Sequence, residues 1–159
     1  MKQIKLTRGA FALVDDEDFD RLNAFKWHAQ GHPESMYACN RSTIKRPCIY
    51  MHRMLFPDWQ YIDHINGNGL DNRRCNLREA TKSQYGANRG PNRNNTTGYK
   101  GVCWNVGRKK WIAQLRAQGV DRMTGQFDSA EEAARAYDRA AVKAFGEFAY
   151  LNFPKEKDS

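Results

Sequence analysis

The sequence predicts an α+β protein in two parts, the second a three-stranded antiparallel sheet packed on one helix. Its 159 residues, of which 40% are hydrophobic and 28% charged, form a globular composition sufficient for two small domains. Residues 86–98 show no apolar periodicity, which indicates a linker. Three strand-like segments and an alanine-rich helix come after this linker, and that order of elements predicts the second part.

The first part is expected to contain short strands and two short helices. The residue pattern predicts strands over 4–7, 10–14, 26–30, 36–41 and 48–51. Gly9 separates the first two strands at a turn. Four acidic residues at 15–18 favour the start of a helix that ends near Ala24. A second helix over 52–56 ends at Pro57, because proline disfavours helical backbone in the residue before it.

The second part begins with strands predicted over residues 99–104, 110–117 and 122–127. Ser129 and Glu132 have the spacing of a capping box, which predicts the start of a helix running to Phe145. Gly146 suits the position just after the helix. Alanines at helical spacing give this helix a face of small residues, so we expect it to lie close to the sheet.

Positive charge is concentrated in a short part of the chain. The formal net charge is +8, and residues 91–123 alone carry seven basic residues against Asp121. A solvated face is the alternative explanation, but aromatic residues alternate with the basic ones, as a surface contacting phosphates and bases requires. We therefore expect a nucleic acid as the partner, ahead of a membrane surface. No apolar run approaches a bilayer span, and no basic amphipathic helix indicates membrane binding.

The cysteine spacing argues against a zinc site. The intervals between successive cysteines are all longer than the two to four residues of a zinc knuckle, for Cys39, Cys48, Cys75 and Cys103. The N-terminal residues show no apolar export signal, so the cysteines are expected to be reduced thiols in a cytoplasmic protein.

The second part resembles the ethylene-response-factor (Apetala-two, AP2/ERF) domain of plant DNA-binding proteins. The resemblance rests on the order and spacing of TGYKGVCW (97–104), KWIAQLR (110–116), GQFD (125–128), AEEAARAYD (130–138) and LNFP (151–154). It implies that the exposed face of the sheet enters the major groove. The DNA contacts it implies are Lys100, Trp104, Asn105, Lys110, Gln114, Arg116 and Arg122. Cys103 and Met123 replace the family's frequent Arg and Trp, so the plant target sequence is not carried over.

A carboxylate and an imidazole stand together in YIDHINGNGLDNRRCNLR, residues 61–78. The carboxylate of Asp63 suits a hard cation such as Mg²⁺ or Mn²⁺, and a neutral His64 can accept a proton from water. Such a pair next to a phosphodiester can support metal-assisted hydrolysis. Taken alone, the pair also fits a turn residue beside a hydrogen-bonded histidine.

Residues 51–89 as a whole resemble the HNH endonucleases of phages and introns, and the resemblance extends more loosely towards the N-terminus. It implies the ββα-metal fold and one bound divalent ion, Mg²⁺ or Mn²⁺. It also implies that His64 is the general base, Asp63 a metal ligand, Asn76 the residue that orients the base, and Asn72 a brace of the loop.

One position departs from the family pattern. Relatives usually carry Asn or His as a second metal ligand on the following helix, where this chain has Tyr85. A neutral phenol is a poor Mg²⁺ ligand, so Asn88, three residues further on, is the expected substitute. The alternatives are an ion held by Asp63 and DNA phosphates only, or a reduced or absent activity. The upstream His52 is expected to be structural or phosphate-facing.

These observations lead to two hypotheses. The first is a metal-dependent, sequence-directed DNA endonuclease that nicks DNA as a monomer, in the bacterial cytoplasm during phage infection or on the nucleoid. The second is a non-cleaving DNA-binding regulator with a degenerate HNH domain. The predicted organisation is a nuclease domain (1–88, motif core 51–88), a linker (89–97), a DNA-binding domain (98–154) and a tail (155–159).

Overall fold

The computed structural model describes residues 1–40, 48–117 and 120–154, without the side chains of Glu34 and residues 120–124. It forms two units, Met1–Thr81 and Lys82–Ser159. The described residues form four small antiparallel sheets with helices, so the predicted α+β class is confirmed. The domain boundaries and the ββα-metal arrangement stay predictions.

The first unit combines three small sheets with two short helices. Its elements are β1 (Lys2–Lys5), β2 (Phe11–Val14), α1 (Asp16–Asn23), β3 (His28–Gln30), β4 (Tyr37–Asn40), β5 (Ile49–Tyr50), α2 (Met51–Leu55), β6 (Tyr61–His64) and β7 (Leu77–Ala80). Strand β1 pairs with β2, β4 lies between β3 and β5, and β6 pairs with β7. The five strands predicted for this part correspond to β1–β5 and the two predicted helices to α1 and α2, each within a few residues of its expected bounds.

A continuous core holds the first unit together. Its buried members come from both ends of the unit and include Ile4, Val14, Leu22, Trp27, Met51, Leu55, Ile62 and Leu77. The indole Nε1 of Trp27 donates to the carbonyl of Leu22 at 2.7 Å, so the buried ring leaves no unpaired N–H. Because Ile62 on β6 and Leu77 on β7 belong to this core, burial holds the β6–β7 hairpin in place.

Two of the four cysteines expected as reduced thiols are neighbours in the structure. The Cα atoms of Cys39 and Cys48 lie 6.0 Å apart, whereas Cys75 and Cys103 are free and exposed. The antiparallel pairing of β4 with β5 brings the two cysteines together. Linear spacing does not reveal such a pairing, because strand register decides which residues become neighbours.

The second unit is the predicted three-stranded sheet with its helix, joined by one further helix. Its elements are α3 (Lys82–Asn88), β8 (Val102–Asn105), β9 (Lys110–Ala117), β10 (Val120–Phe127) and α4 (Ala130–Phe145). The sheet is antiparallel in the order β10-β9-β8. Residues 86–88, expected within the linker stretch, instead complete α3.

Strand β8 begins at Val102 rather than at the predicted residue 99. Gly98 and Gly101 have φ angles of 77° and 73°, which turn the chain before the strand. A Cβ atom at Gly101 would lie 2.2 Å from the ring of Tyr137, so the close approach of this turn to α4 requires glycine.

The alanine face of α4 packs on the sheet as predicted. Ala133, Ala134 and Ala141 are buried against Ala113 and Leu115 of β9. Among the described residues, none of the helices has the length and hydropathy needed to span a bilayer.

The predicted capping box of α4 is confirmed. The Ser129 hydroxyl accepts from the Glu132 amide at 3.1 Å, and the Glu132 carboxylate accepts from the Ser129 amide at 3.3 Å.

We expect Ser129→Ala to lower the free energy of unfolding by about 1 kcal/mol in urea titration, because the cap is lost. Ser129→Thr keeps a capping hydroxyl and is the matched control. Equal stability of the alanine and threonine variants would contradict the role of the cap.

Candidate functional site

The β6–β7 hairpin places a charge pair at its centre. Asp63 stands directly opposite Arg78 in the strand register. The Nε of Arg78 donates to Oδ2 of Asp63 at 2.9 Å, and a terminal guanidinium nitrogen lies 2.8 Å from the same oxygen as an ion pair. The two side chains are only 5% and 12% exposed, so the pair is almost withdrawn from water. Arg78 was not among the residues predicted for the site, because only the pairing of the two strands places it opposite Asp63.

His64 follows Asp63 and is buried, with 5% of its surface exposed. Its ring meets Tyr37 and His52 edge to face, with centroids 5.7 and 5.1 Å away. Burial lowers the pKa of His64, while interaction with Asn72 and the nearby carboxylates acts in the opposite direction. The imidazole is therefore neutral at neutral pH, which is the state that can accept a proton.

His52 belongs to the same cluster of rings. It stacks on Tyr50 with centroids 5.5 Å apart, and Tyr37 meets it edge to face. Burial and the neighbouring His64 lower the pKa of His52 to about 3, so it carries no charge at neutral pH. Its Nδ1 is buried without a hydrogen-bond partner among the described residues. These surroundings favour the structural role expected for His52.

Asn76 is the hub of the loop between β6 and β7. Its Oδ1 accepts from the amide of Asn66 at 3.0 Å, and its Nδ2 donates to Oδ1 of Asn66 at 3.0 Å and to the carbonyl of Asp71 at 2.8 Å. Its own backbone bonds to Ile65 and Arg73. Each of these contacts lies within the loop, so Asn76 holds the loop's shape directly behind His64.

Removing the Asn76 side chain should loosen this loop. We expect Asn76→Ala to lower the free energy of unfolding by about 1–3 kcal/mol, because buried polar groups lose their partners. Urea titration followed by circular dichroism measures the change. Asn23→Ala, at the exposed end of α1, is the control and should stay within about 0.5 kcal/mol of wild type. Equal losses in the two variants would contradict the bracing role.

Asn72 interacts with the imidazole of His64 and also ties the loop to the core. It is 1% exposed, interacts with His64 and donates its backbone amide to the carbonyl of Leu13 at 2.8 Å. The amide of Leu13 in turn donates to Leu70 at 2.9 Å. This ladder joins the loop to β2, so Asn72 is held by a strand of the core.

Two arginines complete the loop's attachment. Arg73 pairs with both carboxylate oxygens of the buried Asp71, at 2.7 and 2.6 Å, which keeps the pKa of Asp71 low. Arg74 pairs with both oxygens of Asp18 on α1, at 2.7 and 2.9 Å. The loop that follows His64 is therefore fixed at both its middle and its end.

The predicted second metal ligand lies on α3, within the second unit. Tyr85 and Asn88 are both half-buried on this helix. Among the described residues, no three His, Cys, Asp or Glu side chains are grouped in a way that could hold a metal ion.

Lys100, a predicted DNA contact, is tied to the end of α3. Its ammonium donates to the carbonyls of Ala87 and Arg89 at 2.5 and 2.6 Å, and the amide of Tyr150 also donates to Ala87 at 3.1 Å. These donors satisfy carbonyls that the end of a helix leaves open. Burial and the charge of Arg89 lower the pKa of Lys100 to about 8.

The outward face of the sheet presents two of the predicted contacts. Gln114 and Arg116 of β9 are exposed, whereas their neighbours Ala113 and Leu115 face α4. We call the side of β9 that carries Gln114 and Arg116 the outward face.

The remaining predicted DNA contacts have mixed surroundings. Lys110 forms an ion pair with the exposed Asp128. Trp104 is 46% exposed and meets Trp111 edge to face. Asn105 accepts from the amide of Arg108 at 2.9 Å within a turn. The side chain of Arg122 lies outside the described part of the structure.

Known proteins resemble this chain over different lengths. An uncharacterized HNH endonuclease of Acanthamoeba polyphaga mimivirus is 28% identical over 151 residues, which cover 91% of this chain and 76% of that protein. Protein 3.8 of Escherichia phage T7 is 34% identical over 93 residues, 58% of this chain and 76% of the phage protein. No protein-family model and no solved structure matches the chain.

Plant proteins match a shorter part. Dehydration-responsive element-binding protein 2D of Arabidopsis thaliana is 44% identical over 62 residues, which cover 36% of this chain and 28% of the plant protein. An AP2-like ethylene-responsive transcription factor of the same plant is 35% identical over 83 residues, 52% of this chain and 24% of that factor. The chain is thus similar over most of its length to a protein named as an HNH endonuclease, and over part of its length to AP2-type plant proteins.

Proposed function

We propose that the protein is a metal-dependent DNA endonuclease that hydrolyses phosphodiester bonds and is directed to its site by the second unit. The observation that carries the proposal is that His64 is buried and neutral and lies next to Asp63 at the end of β6. Hydrogen bonds of Asn76 hold the loop that follows this strand. The relative named as an HNH endonuclease and the AP2-type factors support this chemistry and a DNA partner.

In this proposal His64 is the general base. Its burial keeps the imidazole neutral at neutral pH, so the ring can take a proton from the attacking water. Asn72 orients the ring, because it interacts with His64 and is itself fixed to the backbone of Leu13. Asn76 acts one step further out, since its bonds hold the loop that carries Asn72.

The donor chemistry at Asp63 fits one hard divalent ion, Mg²⁺ or Mn²⁺. Such ions are commonly held by one or two carboxylates, with waters and substrate phosphate oxygens completing the shell. Asp63 would hold the ion, and Asn88 is the proposed second ligand in place of Tyr85. When bound, the ion would polarise the scissile phosphate and stabilise the leaving oxygen. No zinc is proposed.

The second unit is proposed to bind double-stranded DNA through the outward face of its sheet. The exposed Gln114 and Arg116 suit base edges and phosphates. Lys110 at the start of the same strand and Trp104 on the neighbouring strand β8 are further proposed contacts. Asn105 and Arg122 remain proposed contacts. We also propose that the protein acts as a monomer and nicks one strand of the duplex. The viral and phage relatives support a place of action in the cytoplasm of a phage-infected bacterium.

Incubation with plasmid DNA tests the proposal. Supercoiled plasmid should convert to the open-circular form when Mg²⁺ or Mn²⁺ is present and should stay intact in EDTA. Mapping of the ends identifies the site and distinguishes a nick from a double-strand cut. Intact plasmid in every metal, with DNA binding retained, would contradict the nuclease.

One observation favours a second candidate, a DNA-binding regulator that does not cleave. Tyr85 replaces the usual second ligand on α3 with a group that binds Mg²⁺ poorly. Tyr85→Asn separates the two candidates, because it should create cleavage in a regulator that lacks only this ligand. A wild-type chain that already cleaves with metal excludes the regulator.

A further inference from the structure

The second unit contains a large open cavity of about 830 Å³. It is bounded by α3 and the segment that follows it, by Lys100 and Gly101 before β8, by residues 114–116 of β9, and by α4. Gln114 and Arg116 therefore belong both to the outward face of the sheet and to the residues that line the cavity.

The lining of this cavity is positively charged. Among the side chains that the structure describes, the residues that line it include four basic ones, Lys82, Arg89, Lys100 and Arg116, and no carboxylate. Lys82 and Arg89 are exposed on the α3 side, and Arg116 is exposed on the β9 side. A concave surface with charges of one sign concentrates the opposite sign, so the cavity favours an anion.

Lys100 supplies a fixed charge on the cavity wall. Its ammonium is half-buried and is held by the carbonyls of Ala87 and Arg89 at 2.5 and 2.6 Å. These partners are neutral and leave the positive charge of Lys100 uncancelled. The position of that charge is set before any ligand arrives, which lowers the ordering cost of binding.

Arg116 connects this cavity to the outward face of the sheet. Arg116 is exposed beside Gln114 on β9 and is also one of the residues that line the cavity. We propose that the cavity binds a phosphate of the DNA backbone flanking the segment held by the sheet, an inference that rests on the proposed DNA binding of the second unit.

The salt dependence of DNA binding tests this site. Fluorescence anisotropy of a labelled mixed-sequence duplex with the full chain in EDTA measures the dissociation constant across about 50–200 mM KCl. Arg89→Gln should reduce the slope of log affinity against log salt by about 0.9, the value for one lost phosphate contact. Lys82→Gln should also reduce it, and because the cavity binds a single phosphate the double variant should lose no more than about 0.9 in total.

Arg139→Gln is the matched control, because Arg139 is exposed on α4 outside the cavity lining and the change removes the same charge. Its slope should equal that of wild type. Thermal melting checks that all variants fold, as expected for exposed positions. Equal slopes for Arg89→Gln, Lys82→Gln and Arg139→Gln would overturn the proposal.

Titration with deoxyadenosine monophosphate distinguishes the source of the phosphate. Weak binding of the free nucleotide, together with the altered DNA slope, supports the backbone site. Saturable nucleotide binding that Arg89→Gln abolishes, with an unchanged DNA slope, would identify a nucleotide site instead and overturn the proposal. A wild-type chain that fails to bind any duplex at low salt would refute the proposed DNA binding and this site together.

Discussion

Replacing His64 with alanine is expected to lower the rate of DNA cleavage about 10²–10⁴-fold, the usual contribution of a general base. The physical reason is that the imidazole is neutral in its buried setting and stands beside the carboxylate proposed to hold the metal. Single-turnover conversion of plasmid with saturating Mg²⁺ measures the rate, and anisotropy measures DNA affinity on the same preparations. The affinity should stay within about twofold of wild type, because the outward face of the sheet is unchanged.

His28→Ala is the control, since His28 is half-buried on β3 outside the ring cluster and should keep the wild-type rate. Melting curves separate a lost base from a lost fold, because alanine at position 64 also removes buried ring contacts. A His64→Ala variant that is folded and cleaves at the wild-type rate would refute the assignment of the base and direct attention to another group.

Breaking the Asp63–Arg78 pair is expected to have the largest effect on stability. Arg78→Met should lower the free energy of unfolding by about 3–5 kcal/mol, because it leaves a buried carboxylate without its cation. The pair's low exposure and its two contacts from one guanidinium support this size of effect. Urea denaturation of the full chain measures the loss.

The double variant Asp63→Asn/Arg78→Met is the control for this pair. It removes both charges and should recover part of the stability, giving a coupling free energy of about 0.5–3 kcal/mol. Additive losses in the cycle would show that the two side chains do not stabilise each other.

Metal binding supplies a second readout of the same variant. Arg78 and a divalent cation would both interact with the carboxylate of Asp63, so they oppose each other by like charge. Mg²⁺ or Mn²⁺ should therefore raise the melting temperature of Arg78→Met more than that of wild type, and not at all in Asp63→Asn. An equal rise in all three chains would place the ion elsewhere.

The α4 helix shows which structural features can be predicted from residues that are close in sequence. Its start at Ser129, its end near Gly146 and its alanine face were all predicted, because capping residues and i, i+4 spacing act within one or two turns. Strand β8 was predicted to begin three residues too early. Two glycines with positive φ, Gly98 and Gly101, delay it, and Gly101 is required by the close approach of the chain to Tyr137, which is not adjacent in sequence.

The residues of the candidate site also fall into two groups, those that the sequence predicted and those that only the folded structure brings to the site. Asp63, His64 and the two asparagines were identifiable because their chemistry and spacing are carried by one continuous segment. Tyr37, His52 and Arg78 were not assigned to the site. They reach His64 and Asp63 from β4, α2 and β7, through core packing and strand register.

Residue types and short spacings were enough to predict the α+β class, the sheet-and-helix unit, the segment that resembles HNH endonucleases and the concentration of positive charge before α4. Folding was needed to show that His64 is buried and neutral, that Asp63 pairs with Arg78, and that Lys100 holds the end of α3. Burial and hydrogen bonding between distant residues exist only after the chain has folded, and these interactions set the protonation and charge environment of the site.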